Sequence, residues 1–341
     1  MFTGGGSAGH VTPNIAIIKE ILEKGIADVC YIGSGGLEKD LILPLKIPYF
    51  QIDPPKLVRS FTWKHFTLPA RFFKAVKKAE QGLKAYKPDL VFSKGGFVSL
   101  PVVFAASKLK IPTLTHESDL TCGLANRLIA KKSKLILTSF PETAEKFKNG
   151  KYVGSPLRKE IFIGDREKAL QKYGFDGKKK ILLVFGGGSG SQTINDGLKN
   201  ALSELLKRYD ILHLCGKGNG AQNRIKGYRQ VEFEKNMGDA YAVADLVVSR
   251  AGSNAAFEIL SLKKPVLFIP LTKKSRGDQL LNAEYFTQKG LAKTLPERDI
   301  SALSQAVVSL DQDETLKDNL TVTNFISGNG NILREIERFL S

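Results

Sequence analysis

Gly4-Gly5-Gly6-Ser7-Ala8-Gly9-His10, close to the start of the chain, is echoed in the second half by Gly186-Gly187-Gly188-Ser189-Gly190-Ser191. Each run follows a short apolar segment typical of a strand and leads into a helical pattern. A glycine-rich turn between a strand and a helix leaves backbone N–H groups uncovered and directs them, with the helix dipole, toward an anion. Two such turns, about one domain length apart, predict two Rossmann-like domains that face each other across a cleft.

Composition indicates a folded protein of the cell interior. At 341 residues the chain exceeds what one hydrophobic core usually supports, so two domains are expected. No uninterrupted apolar run approaches the roughly 20 residues that span a bilayer, and no secretory signal precedes the first glycine turn. Residues 1–3 are short for a central strand of about five residues, which leaves open a truncated or misassigned start. The three scattered cysteines are interpreted as reduced thiols: Cys30, Cys122 and Cys215.

Strand-like and helical segments alternate regularly, which is the signature of α/β units with parallel sheets. The predicted strands are 1–3, 29–33, 89–93, 112–116 and 134–138, followed by 181–185, 211–215, 246–249 and 266–269. We predict a first, acceptor-facing and membrane-facing domain over 1–157. A second, nucleotide-sugar-binding domain covers 158–325, and an amphipathic final helix within 326–341 packs back on the first domain.

The charge is strongly positive, +17 from 51 basic and 34 acidic residues, which favours anionic partners. Nine basic residues and one acid, Glu80, lie between Lys56 and Lys87; the basic ones are Lys56, Arg59, Lys64, Arg71, Lys74, Lys77, Lys78, Lys84 and Lys87. Aromatic residues are interleaved with them: Phe61, Trp63, Phe66, Phe72, Phe73 and Tyr86. Such surfaces bind single-stranded nucleic acid or anionic membranes.

A plainer interpretation applies to the helix after Pro69, where Phe72, Val76 and Leu83 fit the buried stripe of an amphipathic helix under solvated lysines. Both interpretations stay open for that helix. For the loop with Phe61, Trp63 and Phe66 a surface role is favoured, because its apolar residues follow no period.

Polar and glycine-rich groups follow four further predicted strands, at the edge where open α/β sheets bind ligands. Each group alone is also compatible with an ordinary capped loop, and their convergence on one edge is what favours a site. The groups are Ser93-Lys94-Gly95-Gly96-Phe97, His116-Glu117-Ser118-Asp119, Ser249-Arg250-Ala251-Gly252-Ser253-Asn254 and Arg276-Gly277-Asp278-Gln279.

Together these stretches resemble the MurG family, bacterial N-acetylglucosaminyltransferases that convert lipid I to lipid II in peptidoglycan synthesis. The resemblance runs over essentially the whole chain in order and spacing. It is carried by Gly5–His10, His116-Glu117 through Gly123-Leu124-Ala125-Asn126-Arg127, Gly154-Ser155-Pro156-Leu157-Arg158, Arg250-Ala251-Gly252 with Glu258, and Asp278-Gln279 with Asn282-Ala283. It implies the GT-B fold, with the nucleotide-sugar held mostly by the second domain.

The resemblance also implies binding roles. Ser7, Ala8 and Gly9 match a turn that approaches the donor sugar and diphosphate, and Arg158 matches a basic residue suited to that diphosphate. Glu258 matches the carboxylate that accepts from the ribose hydroxyls. Further matches are to phosphate and sugar-hydroxyl contacts: Gly188 and Ser189 in the second glycine turn; Ser253, Asn254, Ala255, Ala256 and Phe257 at a helix start; and Asn126 and Gln279 as amides that read sugar hydroxyls. The family commonly has Ile, Leu or Val beside the uridine, near Phe233-Glu234, and of this pair only Phe233 is apolar.

Three positions depart from the family pattern. Cys122 stands in place of a proline, which weakens the case for a rigid turn there. Gly188 stands in place of a loop serine, with Ser189 displaced by one position, so a side-chain contact to phosphate is in doubt. Ala8 stands in place of a frequent glycine, which a close backbone approach tolerates.

The implied reaction is inverting displacement, in which the acceptor hydroxyl attacks the anomeric carbon as UDP leaves. His10 is the predicted base, because a helix N-terminus favours the neutral imidazole; His10 as a simple cap of the turn is the alternative, and His116 and Glu117 are reserve bases. The resemblance implies no metal and no cofactor, because GT-B enzymes in general need no bound metal, and no His, Asp or Cys spacing in this sequence contradicts that. The expected partners are UDP-N-acetylglucosamine, lipid I and an anionic membrane surface at the cytoplasmic face of the bacterial membrane, where the protein is peripheral.

Other classes remain open: another GT-B UDP-sugar enzyme, such as a glycolipid glycosyltransferase or a nonhydrolysing epimerase, and a non-catalytic nucleotide-sugar-binding protein. A nucleic-acid binder is disfavoured, because it has no use for two phosphate turns and a ribose-type carboxylate. No nucleic-acid partner is therefore expected.

Overall fold

A computed structural model of the chain describes residues 1–55, 67–188, 190–220, 225–272, 277–325 and 327–340. The chain forms two compact units. The first comprises Met1–Arg158 and Ser327–Ser341, and the second is Lys159–Ile326. The chain thus enters the second unit once and returns to the first for its last segment.

The first unit is built on seven strands. They are β1 (Phe2–Thr3), β2 (Tyr31–Gly33), β3 (Tyr49–Gln51), β4 (Val91–Ser93), β5 (Thr113–Glu117), β6 (Leu135–Thr138) and β7 (Gly150–Tyr152). Six helices connect them: α1 (Ala8–Lys24), α2 (Leu37–Ile42), α3 (Leu68–Tyr86), α4 (Gly96–Lys108), α5 (Leu124–Ala130) and α6 (Pro141–Ala144), with a 3₁₀ turn at Leu43–Leu45.

All strand pairs of this sheet are parallel, in the order β3-β2-β1-β4-β5-β6-β7. The chain builds outward from β1 to one edge and then restarts on the other side with β4. The connections after β1 and β4 therefore leave toward opposite faces, which opens a crevice at the carboxyl ends of these two strands. The turn at Gly4–Gly6, after β1, and the turn at Gly95-Gly96, after β4, both lie at this point.

The second unit has six strands: β8 (Lys180–Phe185), β9 (Tyr209–Leu214), β10 (Tyr228–Val231), β11 (Leu246–Ser249), β12 (Val266–Phe268) and β13 (Lys293–Thr294). Its helices are α7 (Arg166–Tyr173), α8 (Gln192–Leu205), α9 (Met237–Val243), α10 (Ser253–Ser261), α11 (Asp278–Gln288), α12 (Leu303–Asp311) and α13 (Glu314–Val322), with 3₁₀ turns at Lys159–Phe162 and Glu297–Ala302. The parallel order β10-β9-β8-β11-β12-β13 repeats that of the first sheet. The prediction of two parallel α/β sheets is confirmed.

Four strands of the structure have no counterpart among the predicted ones: β3, β7, β10 and β13. Each is the outermost strand on its side of a sheet. Their side chains are half-buried or exposed, whereas those of β11 and β12 are fully buried. An edge strand packs on fewer neighbours, so it needs no continuous apolar run and leaves a weak pattern in the sequence.

The final helix, α14 (Asn329–Leu340), belongs to the first unit and packs on α1. Ile332, Leu333 and Ile336 join the apolar cluster that contains Ile17 and Ile21. These residues recur at helical spacing on one face, which explains why the helix was predicted from its amphipathic pattern.

Asn329 anchors the start of α14 through buried hydrogen bonds. Its Oδ1 accepts from the Leu157 N–H over 2.9 Å, and its Nδ2 donates to the Leu157 carbonyl oxygen over 2.9 Å and to a carboxylate oxygen of Glu20. One amide thus satisfies both backbone groups of Leu157 and a buried carboxylate.

We expect Asn329→Ala to lower the free energy of unfolding of the first unit by about 2–4 kcal/mol, because it leaves several buried polar groups unsatisfied. Urea denaturation measures this. Glu337→Ala, at an exposed position of the same helix, is the control and should change stability by less than about 0.5 kcal/mol. Equal effects of the two substitutions would contradict the anchoring role.

Candidate functional site

The first glycine turn lies between β1 and α1 and is held from behind by two buried side chains. The Tyr31 hydroxyl donates to the Gly4 carbonyl oxygen over 2.9 Å, and Asn14 Nδ2 donates to that hydroxyl over 3.1 Å. Gly6 has φ of +81°, and a Cβ there would lie 2.2 Å from the Phe97 ring, so the turn needs glycine. On its outer side the turn exposes the predicted binding residues Ser7, Ala8 and Gly9.

His10 is the third residue of α1 and is half-buried. Its Nδ1 is hydrogen-bonded to Ser7 Oγ over 2.9 Å. The ring also packs on the turn after β4, since a Cβ on Gly96 would lie 3.2 Å from Nδ1. The predicted base is therefore held between the two glycine turns of the first unit.

The turn after β4 is built around the side chain of Asn126 from α5. Gly95 and Gly96 both have φ above +80°, and a Cβ on Gly95 would lie 2.2 Å from Asn126 Oδ1. That oxygen accepts from the Gly96 N–H over 3.0 Å, while Asn126 Nδ2 donates to Glu117 Oε2 over 2.7 Å. The structure thus joins Asn126 to Glu117 and to the turn, where the resemblance implied contact with a sugar.

His116, a reserve base, is fully buried in β5. Its Nε2 lies 3.1 Å from the Gly154 carbonyl oxygen, so this nitrogen donates. Burial, with the charge of Lys94 as a second cause, holds the pKa of the imidazole well below its usual value. The ring is neutral at physiological pH and has no exposed surface for a substrate, which favours a structural role in fixing the segment at Gly154.

Lys94 is a functional candidate that the sequence analysis quoted but did not select. It directly follows β4, and its side chain is only 1% exposed. Its Nζ donates to Ser118 Oγ after β5, the strand that also carries Glu117. The sequence pattern that could have selected Lys94 is a lysine between an apolar strand and two glycines. The inward direction of its side chain does not follow from that pattern.

The second glycine turn lies between β8 and α8. Gly187 has φ of +91° and Gly190 has φ of +74°; a Cβ on Gly190 would lie 2.4 Å from the Cys215 carbonyl oxygen. Ser191 caps α8, its Oγ accepting from the Ile194 N–H. Gly188 is exposed with no atom near its missing Cβ, so the turn leaves room for a ligand there. Ser189, the displaced serine, is outside the described residues.

Arg250, directly after β11, ties three segments of the second unit together. Its guanidinium donates to Ser191 Oγ over 2.6 Å and to the Ile269 carbonyl oxygen over 2.9 Å, and it forms an ion pair with Glu297 at 2.7 Å. The guanidinium makes these contacts from two nitrogens that its planar group holds in a fixed geometry. The start of α8 is thereby fixed to the loop that precedes α10.

The start of α10 contains the predicted phosphate and ribose residues. Ser253 is buried, Asn254 and Ala255 are half-exposed, and Glu258 is 7% exposed with its Oε2 accepting from the Tyr241 hydroxyl over 3.2 Å.

Ala256 and Phe257 are the last two residues of the stretch that the resemblance matches to phosphate contacts. Both are buried in the core of the unit, and the Phe257 ring packs edge-on against Phe286 at 5.5 Å. A helix turns its successive side chains to different faces, so a continuous stretch of five cannot all point toward one ligand. The side chains of these two residues are therefore committed to the core, and only Ser253, Asn254 and Ala255 lie at the helix start.

The remaining predicted residues are spread over both units. Gln279 is half-buried, and its Oε1 accepts from the Leu271 N–H over 3.0 Å. The Phe233 ring is 58% exposed, as a wall for a flat ligand would be. Arg158 is half-buried at the end of the first part of the first unit.

The basic and aromatic segment is described from Thr67 onward. Phe73 of α3 is 70% exposed, whereas Leu83 is buried and Phe72 and Val76 are half-buried. One face of α3 therefore belongs to the core, and another presents an aromatic ring beside lysines. Lys56, Arg59, Phe61, Trp63, Lys64 and Phe66 lie outside the described residues.

Two properties of the described residues concern membrane crossing and metal binding. None of the helices formed by the described residues combines the length and the apolar character needed to cross a membrane. In the same part of the chain, no cluster of three or more His, Cys, Asp or Glu side chains is placed to hold a metal ion.

Two parallel Rossmann-like sheets, each with a glycine turn where its strand order reverses, are typical of the GT-B fold, and comparison with known proteins agrees. The N-terminal domain model of glycosyltransferase family 28 matches residues 1–138, and the C-terminal domain model matches residues 181–326. The crystal structure of Acinetobacter baumannii MurG superimposes with a TM-score of 0.75 over 99% of this chain and 98% of that one, at 23% identity.

Sequence relatives show which group within glycosyltransferase family 28 the chain belongs to. A Clostridium botulinum protein named UDP-N-acetylglucosamine--N-acetylmuramyl-(pentapeptide) pyrophosphoryl-undecaprenol N-acetylglucosamine transferase is 44% identical over 100% of this chain and 97% of its own length. A Bacillus anthracis protein of the same name, numbered 2, is 48% identical over 89% of this chain and 88% of its own. The chain belongs to the MurG family within glycosyltransferase family 28.

Proposed function

We propose that this chain transfers N-acetylglucosamine from UDP-N-acetylglucosamine to the muramoyl residue of lipid I, giving lipid II. The observation that carries the proposal is the match, over 89–100% of this chain, to transferases named for this reaction, at 41–48% identity. Two glycine turns at the carboxyl ends of parallel strands support it, because they suit a phosphate-bearing donor and a phosphate-bearing acceptor.

The second unit is assigned to the donor. Its glycine turn at Gly187 and Gly188 and the start of α10 at Ser253 present backbone N–H groups and helix N-termini, which stabilise a diphosphate. Glu258 accepts from the ribose hydroxyls, and the exposed ring of Phe233 covers the uracil. Gln279 completes the set in this unit as a contact to the sugar; Arg158, which belongs to the first unit, and Ser189, which lies outside the described residues, stay predictions for the diphosphate.

The first unit is assigned to the acceptor and the proton transfer. The acceptor hydroxyl attacks the anomeric carbon, the bond from that carbon to the UDP oxygen breaks, and the hydroxyl proton passes to a base. His10 suits this role, because Ser7 orients its ring and the N-terminus of α1 favours the neutral imidazole. The two reserve bases suit the role less well: burial leaves His116 without access to a substrate, and Glu117 is 5% exposed with both carboxylate oxygens already accepting hydrogen bonds.

Acceptor-dependent release of UDP separates this function from its alternatives. A transferase releases one UDP for each sugar transferred, and only when a lipid I analogue is present. A nonhydrolysing epimerase changes the donor without that acceptor, and a non-catalytic binding protein retains the donor unchanged. Either of these two results would overturn the proposed function.

The donor assignment predicts that Glu258→Ala weakens UDP binding by roughly 1.5–3 kcal/mol, the range for hydrogen bonds to a charged group. Titration calorimetry measures the affinity, and the KM for the donor should rise far more than the KM for the acceptor. Glu284→Ala, at an exposed position of α11, is the control and should bind UDP normally. Unchanged UDP affinity of Glu258→Ala would remove this residue from the site.

The base assignment predicts that His10→Ala lowers kcat by roughly 10²–10⁴-fold, the usual share of general base catalysis, with little change in donor affinity. The wild-type rate should fall on the acidic side as the imidazole becomes protonated. His10→Gln keeps a hydrogen-bonding partner for Ser7 but no base, so it should be as slow as His10→Ala. Full activity of either variant, or a loss of donor affinity alone, would remove His10 from this role.

Peripheral binding at the cytoplasmic face of the membrane is part of the proposal, because lipid I is a membrane lipid. The exposed ring of Phe73 and the neighbouring Lys74 and Lys77 on α3 form a surface suited to anionic headgroups. The excess of basic over acidic residues in the whole chain acts in the same direction.

We expect the triple variant Phe73→Ser, Lys74→Glu, Lys77→Glu to leave anionic liposomes in a flotation assay, since each basic residue at such a surface contributes about 1 kcal/mol. Its activity on a short water-soluble acceptor should persist. Lys148→Glu with Lys199→Glu makes the same reversal of two exposed lysines elsewhere and should still float. If the triple variant floats as the wild type does, this face is ordinary solvated surface.

A further inference from the structure

Three charged groups meet at the carboxyl ends of β4 and β5 in the first unit. They are the Lys94 ammonium and the Glu117 and Asp119 carboxylates. Lys94 is 1% exposed and Glu117 is 5% exposed. Moving an ion of this kind out of water costs several kcal/mol, so a fold keeps a buried ammonium only where opposite charge and hydrogen bonds compensate for it.

Burial is the main influence on the pKa of the Lys94 ammonium, and the charges of the two carboxylates act in the opposite direction. Burial lowers the pKa of Lys94 to about 8, while Glu117 and Asp119 act to raise it. Burial is also the first cause for Glu117 and raises its pKa, as does the charge of Asp119; the hydrogen bond from the Asp119 N–H, then the charge of Lys94 and the hydrogen bond from Asn126, act to lower it. Among these lowering causes Lys94 is the cation, and its Nζ donates to Ser118 Oγ, next to Glu117 in the chain.

Glu117 needs both its oxygens as acceptors. Oε1 accepts from the Asp119 N–H over 3.0 Å, and Oε2 accepts from Asn126 Nδ2 over 2.7 Å. Asn126 in turn accepts from the Gly96 N–H, at the turn against which the His10 ring packs. Protonation of Glu117 would turn one of these oxygens into a hydroxyl and remove the negative charge, so the chain of bonds from Glu117 to Gly96 is strongest with an ionised carboxylate.

We propose that Lys94 is a positioning residue: its buried ammonium keeps Glu117 ionised, and Glu117 then fixes Asn126 and the glycine turn that seats His10. Its effect on catalysis rests on the proposed transferase function, but its effect on Glu117 does not. The groups that face Glu117 are Lys94 from the end of β4, Asp119 from the loop after β5 and the neutral amide of Asn126 from α5. His116 of β5 is itself kept neutral by burial and by Lys94.

The test follows the carboxyl carbon of Glu117 by NMR in protein labelled with ¹³C-glutamate, with Glu117→Gln to identify the signal. In Lys94→Met the titration midpoint of Glu117 should rise by about one to three pH units, the effect of removing a nearby opposite charge. Lys94→Arg keeps the charge and should leave the midpoint near the wild-type value. Lys131→Met, at an exposed lysine that directly follows α5, is the matched control and should not move it.

Activity provides the second readout. Lys94→Met should move the acidic limb of the transfer rate to higher pH, so that part of the lost rate returns as the pH is raised. In a Glu117→Gln background, Lys94→Met should have no further effect, because no carboxylate remains to be kept ionised.

An unchanged Glu117 midpoint in Lys94→Met, or effects of the two substitutions that simply add, would overturn the proposal and leave Lys94 a packing residue. Where Lys94→Met does not fold, Lys94→Gln serves in the same comparison. A wild-type chain without transfer activity would contradict the proposed function, while the NMR titration would still decide the role of Lys94.

Discussion

In both sheets the strands are first added on one side of the first strand and then on its other side, so the direction of addition reverses there. The rest of the structure depends on that reversal. Because β1 and β8 lie inside their sheets, with β4 and β11 as their neighbours, the connections on the two sides leave toward opposite faces. The carboxyl ends of these strands are then left uncovered. The backbone that turns there must pass close to its neighbours, which is why the turns at Gly6 and Gly190 have no room for a Cβ.

Buried polar side chains support the backbone at these strand ends, and the two units use different groups. In the first unit Tyr31 donates to the Gly4 carbonyl oxygen, and Asn126 links Glu117 to Gly96 in the turn after β4. The second uses the Arg250 guanidinium, which is paired with Glu297 and donates to Ser191 at the start of α8. In rigid turns of this kind the backbone N–H groups are already oriented in the folded protein. Little reorganisation is then needed when charge develops on a departing diphosphate.

The central elements could be predicted from the sequence and the edge elements could not. β8 and β11 are apolar runs buried on both faces, and they were predicted to within a residue. β3 and β10 are half-exposed edge strands, so their sequences lack a continuous apolar run. α14 was found because its buried residues follow the helical period. The site was partly predictable for similar reasons, because glycine turns after strands mark where backbone meets a ligand. The direction of a side chain does not follow from spacing: Phe257 turns into the core, Asn126 turns toward Glu117, and Lys94 turns inward instead of toward solvent. Such directions depend on neighbours that the fold brings from distant parts of the sequence.

The most direct test of inverting transfer is the linkage in the product. UDP-N-acetylglucosamine labelled at the anomeric carbon is incubated with this protein and a lipid I analogue, and the anomeric configuration of the transferred sugar is read by NMR. Direct displacement adds one sugar to each acceptor and releases one UDP. The anomeric configuration of the transferred sugar is then opposite to its configuration in the donor. Retention of the donor configuration, or turnover of the donor without transfer to the acceptor, would contradict it.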